Sequence, residues 1–304
     1  MQRAIVTGAT GAIGTALVEE LIRRRVEVLV FCRKGSERNG RIPKHRLVTT
    51  KYCSLEQLQD VSNDTGQGYD VFFHLAWEGT TGAARNDMYL QNQNVRYALD
   101  AVRAAQRFGC HTFIGAGSQA EYGRAQEILR PDTPVCPETG YGIGKLCAGQ
   151  MTRELAGQYG MRHIWVRVLS IYGPNDSANS LIMTAIRNLK DGGELRFTKA
   201  EQMWDYLYSG EAAEAFYLLG EKGVDQRTYV LGSGKVRPLK EYIMAIRDIV
   251  APGRPVALGD IPYGDRQVMY LCADTSELER DVQWKSTMTF EQGIKNTLQR
   301  MYDQ

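Results

Sequence analysis

The sequence predicts an α/β fold of the Rossmann type, a doubly wound parallel sheet with a smaller, interleaved substrate lobe. Three observations predict it. A glycine-rich turn joins a short apolar run to a helical pattern near the amino terminus, strand-like runs then alternate with helical patterns through the first 170 residues, and the alternation loosens after Gly173-Pro174. At 304 residues the chain can form one large domain or two ordinary ones around a substantial core.

Arg3-Ala4-Ile5-Val6 is an apolar run suited to a buried strand, and residues 15–25 carry Leu17, Val18, Leu21 and Ile22 at helical spacing. Between them, Thr7-Gly8-Ala9-Thr10-Gly11-Ala12-Ile13-Gly14 reads as a phosphate cradle for a dinucleotide. Gly8 allows the tight turn, Gly11 lets backbone approach a pyrophosphate, and Gly14 permits close packing of helix on strand. Thr10, Ala12 and Ile13 belong to the same cradle, where the helix amino terminus offers free N–H groups and a positive dipole end.

Further strands are expected at 27–32, 46–49, 71–76, 112–116 and 163–169, with the two longest helices at about 85–108 and 142–159. Both helices carry apolar residues on more than one face, which predicts a homodimer built through them. After Gly173-Pro174 come a loop, a helix near 181–189 and a Lys190-Asp191-Gly192-Gly193 turn. Residues 203–220 read as a strand and helix returning to the first lobe. The expected division gives 1–172 and about 203–230 to the dinucleotide-binding domain, and about 173–202 and 231–304 to the substrate-binding lobe.

The 37 basic and 35 acidic side chains nearly cancel, so charge gives no case for a nucleic-acid or membrane partner. Six cysteines form no C-x-x-C pair, and four histidines offer no ligand spacing with them, which predicts free thiols and no metal. No apolar run approaches the ~20 residues that span a bilayer, and the first strand begins without a signal peptide, which points to the cytoplasm.

The strongest catalytic pattern is Tyr141-Gly142-Ile143-Gly144-Lys145, where a loop should enter a long helix. Tyrosine and lysine four apart share a helix face. A phenol titrating near ~10 is a poor acid at neutral pH, and a nearby ammonium is expected to stabilise its phenolate. Ser118 follows the strand at 112–116, at the sheet edge where such folds bind ligands, so its hydroxyl would orient a substrate oxygen beside Tyr141. The second strand ends Val30-Phe31-Cys32-Arg33-Lys34, with no acid to bond the ribose hydroxyls of NAD. Arg33, with Lys34 beside it, is placed to pair with a 2′-phosphate, which predicts NADP(H) in preference to NAD(H).

Over nearly its whole length the chain resembles the extended short-chain dehydrogenase/reductases, the NAD-dependent epimerase/dehydratase family, and within it the nucleotide-sugar branch. The matching segments are the glycine-rich turn, His74-Leu75-Ala76, Asn94-Val95, Gly117-Ser118 with Tyr122-Gly123, Tyr141 with Lys145, Arg167 with Tyr172-Gly173-Pro174, Trp204-Asp205-Tyr206-Leu207-Tyr208, and Asp274-Thr275-Ser276. The resemblance implies that Ser118, Tyr141 and Lys145 form a catalytic triad, with Lys145 also holding the nicotinamide ribose. It further implies that Asn94 supports the lysine through water, that Leu75 and Ala76 line the cofactor, and that Val168 passes the nicotinamide.

The resemblance also bears on the reaction. Sugar 4,6-dehydratases of the family carry an Asp-Glu pair after the catalytic hydroxyl, where this chain has Gln119 and Ala120, so dehydration is not expected. Ser170 stands where the family often has asparagine, and Lys51-Tyr52-Cys53 replaces its usual acid beside adenine. The expected function is an NADPH-dependent 4-ketoreductase of a nucleotide-linked 4-keto-6-deoxyhexose. A nucleotide-sugar 4-epimerase is the alternative, and a non-catalytic NADP-sensing protein a further one. Arg266, in the loop before a strand expected at 269–273, would clamp a diphosphate, with Arg196 a lesser candidate. Gln119, Glu121, Ser170 and Asn179 would contact the sugar or phosphate.

Overall fold

A computed structural model of the chain describes residues 1–265 and 267–302, so Arg266 lies outside the described residues. The strands are β1 (Arg3–Thr7), β2 (Glu27–Cys32), β3 (Val48–Tyr52), β4 (Val71–His74), β5 (Thr112–Ser118), β6 (Arg162–Val168), β7 (Ser170–Tyr172), β8 (Arg196–Phe197), β9 (Met203–Trp204), β10 (Tyr206–Tyr208), β11 (Arg227–Leu231), β12 (Arg237–Pro238) and β13 (Ala257–Leu258). Seven of them form one sheet in the order β11-β6-β5-β4-β1-β2-β3, with every pairing parallel. This is the Rossmann-like α/β fold that the alternation predicts. Strand order reverses between β1 and β4, so the loops after Thr7 and His74 open a crevice at the carboxyl edge.

The helices are α1 (Ala12–Arg23), α2 (Met88–Arg107), α3 (Gly140–Gln158), α4 (Leu181–Asp191), α5 (Ser209–Lys222), α6 (Leu239–Val250), α7 (Ser276–Val282) and α8 (Phe290–Tyr302). Both faces of the sheet are covered, which is why its central strands are nearly continuous apolar runs. Ala4, Val6, Val28 and Val30 pack with Leu17 and Leu21 of α1 and Phe216 of α5. Ile5, Leu29, Phe31 and Phe72 face the other way, toward Ala101 and Ala105 of α2. Burying a phenylalanine such as Phe72 contributes on the order of 1.5–3 kcal/mol. A separate apolar centre joins Ile182 and Ile186 of α4, Tyr242 and Ile246 of α6, and Phe290 and Ile294 of α8.

Two strand expectations are corrected. The strand expected at 46–49 lies two residues later, because a turn holds Val48 N–H on the His45 carbonyl before pairing with β2 begins. Residues 269–273 form no strand. The segment bonds first to Met203 and then to Leu129, so it makes isolated bridges at Tyr270 and Ala273 and no ladder. Among the described residues no helix is long and apolar enough to cross a membrane.

Candidate active site

The turn after β1 is shaped by its glycines. Gly8 sits at φ +75°, and a Cβ there would lie 2.7 Å from the Ala76 nitrogen. A Cβ on Gly14 would run into the Gly8 carbonyl, so α1 approaches the turn only because that position is bare. Gly11 is the exposed residue preceding α1, and its Cβ would meet nothing nearer than the Gly8 oxygen at 3.8 Å. An open backbone at a helix amino terminus fits a pyrophosphate. Leu75 and Ala76 close the other side, donating their N–H groups to the Thr7 carbonyl and hydroxyl at 3.3 and 3.4 Å. Arg41, which no sequence pattern marked, donates to the Thr10 and Asn175 carbonyls at 3.4 Å each, tying this turn to the chain beyond Pro174.

At the end of β2 the Arg33 carbonyl accepts from the Asn39 side chain at 2.8 Å, which folds the following turn. The side chains of Arg33 and Lys34 are exposed.

Ser118 is the last residue of β5, directly in register with Val168 on β6. Its Oγ accepts from Ala120 N–H at 3.2 Å, and Glu121 Oε1 accepts from Ser118 N–H at 2.8 Å, forming a capping box. Thr139 caps α3 by accepting from Gly142 N–H at 3.1 Å. A Cβ on Gly142 would strike the Ala120 carbonyl, so its absence lets α3 reach the end of β5. The Tyr141 hydroxyl is thereby brought beside Ser118, whose hydroxyl favours the phenolate.

Lys145 is buried, donating from Nζ to the Ala116 carbonyl at 2.6 Å, with its ammonium 3.9 Å above the Trp77 ring. Burial pushes the ammonium down to about 7, against the pull of Glu121. Burial likewise raises the Tyr141 phenol above its ordinary value, while Ser118 and Arg85 pull it down and Glu121 adds to the rise. The Lys145 Nζ lies over the Tyr141 ring at 5.8 Å from its centre, and the guanidinium of Arg85 is closer at 4.4 Å. His74 is buried beside Thr7 at 3.0 Å, and desolvation drives it down to about 3, so its imidazole is neutral.

One expectation fails on geometry. Glu121 does not face an open cleft: it is 0 % exposed, and besides Ser118 N–H it accepts from Trp165 Nε1 at 3.0 Å and Arg167 Nε at 2.8 Å. The Asn94 amide accepts from Glu78 N–H and donates to the Glu78 and Leu90 carbonyls at 2.9 to 3.1 Å, pinning the loop after β4.

The expected substrate contacts are scattered. Ser170 Oγ accepts from Trp204 Nε1 at 2.9 Å, and Gln119 is half-buried beside Ser118. Asn179 is exposed, and Arg196 pairs with Asp260 at 3.3 Å on the surface. Sequence reading missed Trp77 and Arg85. Trp77 directly follows the His74-Leu75-Ala76 segment and was within reach of that signal, whereas Arg85 stood only as the first residue of the helix expected at about 85–108, which begins at Met88.

A model of the NAD dependent epimerase/dehydratase family matches residues 4–232. The chain is 25 % identical to a dTDP-glucose 4,6-dehydratase of Neisseria meningitidis serogroup B, covering 100 % of this chain and 94 % of the relative. It is 24 % identical to a CDP-abequose synthase of Salmonella typhimurium, covering 98 % and 97 %. Its fold is similar to that of a UDP-glucose 4-epimerase from Thermotoga maritima solved with UDP-glucose, with TM-score 0.87, 20 % identity and 99 % of each chain covered.

Proposed function

We infer the reaction from one premise: the chain belongs to the NAD dependent epimerase/dehydratase family. We propose that it is an NADPH-dependent 4-ketoreductase of a nucleotide-linked 4-keto-6-deoxyhexose. The observation that carries this reading is the meeting of the Ser118 and Tyr141 hydroxyls at the same sheet edge as the glycine-rich turn. Two of the chain's relatives are named for dTDP-glucose and CDP-abequose chemistry, which supports a nucleotide-sugar substrate.

Gly8, Thr10, Gly11, Ala12, Ile13 and Gly14 would hold the cofactor pyrophosphate, Leu75, Ala76 and Val168 would flank its path, and Lys145 would take the nicotinamide ribose. Exposed Arg33 and Lys34, with no acid beside them, favour the added phosphate of NADP(H). Bound NADPH supplies a hydride. Ser118 holds the C4 oxygen of the sugar by its hydroxyl, and Tyr141 gives that oxygen its proton, so ketone becomes alcohol. Gln119 and Ser170 lie on the substrate side, and Arg266 remains the proposed diphosphate clamp. Gln119 and Ala120 offer no carboxyl group for dehydration. A second copy is proposed to pair along α2 and α3, where Tyr89 is 90 % exposed and Ile143 and Met151 are about half so.

The alternative is a 4-epimerase, favoured by the fold shared with the Thermotoga enzyme. A non-catalytic NADP-sensing role is disfavoured by retention of Ser118, Tyr141 and Lys145 together. Incubation with NADPH and nucleotide-linked 4-keto sugars tests the reading. Stoichiometric loss of NADPH is expected, and none with any nucleotide form overturns it. Arg33→Ala should weaken NADPH about 10- to 100-fold while leaving NADH unchanged, the size of one charge-assisted contact.

A further inference from the structure

We propose that Arg85 is a positioning residue for Tyr141: its guanidinium, stacked on the phenol ring, sets the proton affinity of that hydroxyl. Arg85 stands in the short helical turn Gly82–Asn86, with its Cζ 4.4 Å from the Tyr141 ring centre. It is fixed there by donating from Nη1 to the Thr80 carbonyl at 2.9 Å. Lys145, on the same helix as Tyr141, reaches that ring from farther away, its Nζ 5.8 Å from the centre. Trp77 meets Tyr141 edge-on, with centres 6.2 Å apart and planes at 88°, and Lys145 rests on the indole face.

The loop that carries Arg85 is fastened to both neighbours. Gln91 accepts from Trp77 Nε1 at 2.8 Å and donates to the Gly79 and Ala84 carbonyls at 3.1 and 2.8 Å. Asn86 accepts from Gly140 N–H at 3.1 Å, one residue before Tyr141. The guanidinium is therefore tied to the helix whose tyrosine it covers.

The groups facing Tyr141 are Arg85 from this loop, Ser118 from β5, Glu121 from the turn after it, and Lys145 from its own helix. A guanidinium is a cation throughout the working pH range, and one lying over a ring face favours the phenolate more than the phenol. With Arg85 in place, Tyr141 releases its proton more readily.

This rests on Tyr141 as the proton-transfer group, but its test needs no substrate, so it stands or falls apart from the identity of the sugar. The tyrosinate absorbance of Tyr141 is titrated as the difference between each protein and its Tyr141→Phe counterpart. Arg85→Gln, which retains a donor for the Thr80 carbonyl, and Arg85→Leu should both raise the titration by about one pH unit. Arg85→Lys should recover most of the shift. Equal titration in parent and Arg85→Gln, with melting temperature retained, overturns the proposal. Should Arg85→Leu melt early, Arg85→Gln and Arg85→Lys decide.

Discussion

Two buried cations stand at the carboxyl edge of the sheet, both under the influence of Glu121, and the protein treats them oppositely. Arg167 is answered in full: Glu121 at 2.8 Å, the Pro131 carbonyl at 3.1 Å and the face of Tyr122 at 4.5 Å. Lys145 has three N–H donors, and among the described residues one carbonyl accepts from it, with an indole face below. A satisfied buried ion pair fixes shape. An under-answered ammonium keeps its proton loosely and retains donors for an incoming oxygen, which is what a ribose hydroxyl would supply. One carboxylate thus borders a girder on one side and a working group on the other.

Substitutions can break this contrast from either side. The largest effect is expected on the working side: Tyr141→Phe should lower turnover by on the order of 10²- to 10⁴-fold while NADPH binding, read by calorimetry, is retained. Unchanged turnover would remove Tyr141 from proton transfer. On the structural side, Glu121→Ala leaves Arg167 buried without its partner and should cost about 3–5 kcal/mol in urea unfolding. A cost below about 1 kcal/mol would mean that water reaches the guanidinium and the pair is not sealed.

The smallest expected effect sharpens the contrast by pH. Burial lowers the Lys145 ammonium from 10.5 to about 7. Between those values the unfolded chain binds the extra proton, so stability gained from this group rises with pH across that window, and below about 7 the native state carries a buried charge. Lys145→Met removes that burden. Its melting temperature should exceed the parent's most near about pH 6, with the gap shrinking toward about pH 10. A gap independent of pH would show that the ammonium is solvated.

The sheet and the cofactor turn were legible because they rest on local rules. Apolar runs such as 71–74 report burial on both faces, and Gly8 and Gly14 mark places where a side chain cannot fit. Ser118, Tyr141 and Lys145 were legible by spacing and by position at a strand end. What sequence could not convey was where each charge points. Glu121 follows the proposed catalytic serine and resembles a sugar contact, yet its carboxylate turns inward because Trp165 and Arg167, more than 40 residues later, offer it donors. Arg85 is the converse. Its sequence position marks only the start of an expected helix, and only the tertiary bonds from Gln91 and Asn86 bring it onto Tyr141. The strand expected at 269–273 failed for a similar reason, since its partners are divided between Met203 and Leu129.

The central claim is that this edge of the sheet performs a net reduction at C4. The most direct measurement is a mass spectrum of the sugar product after incubation of the protein and a nucleotide-linked 4-keto-6-deoxyhexose with NADPH deuterated at its transferable position. The account predicts one deuterium on C4 for each NADPH consumed. Keto sugar recovered without deuterium and with NADPH intact, while an unoxidised nucleotide sugar incubated in parallel is epimerised at C4, would contradict it.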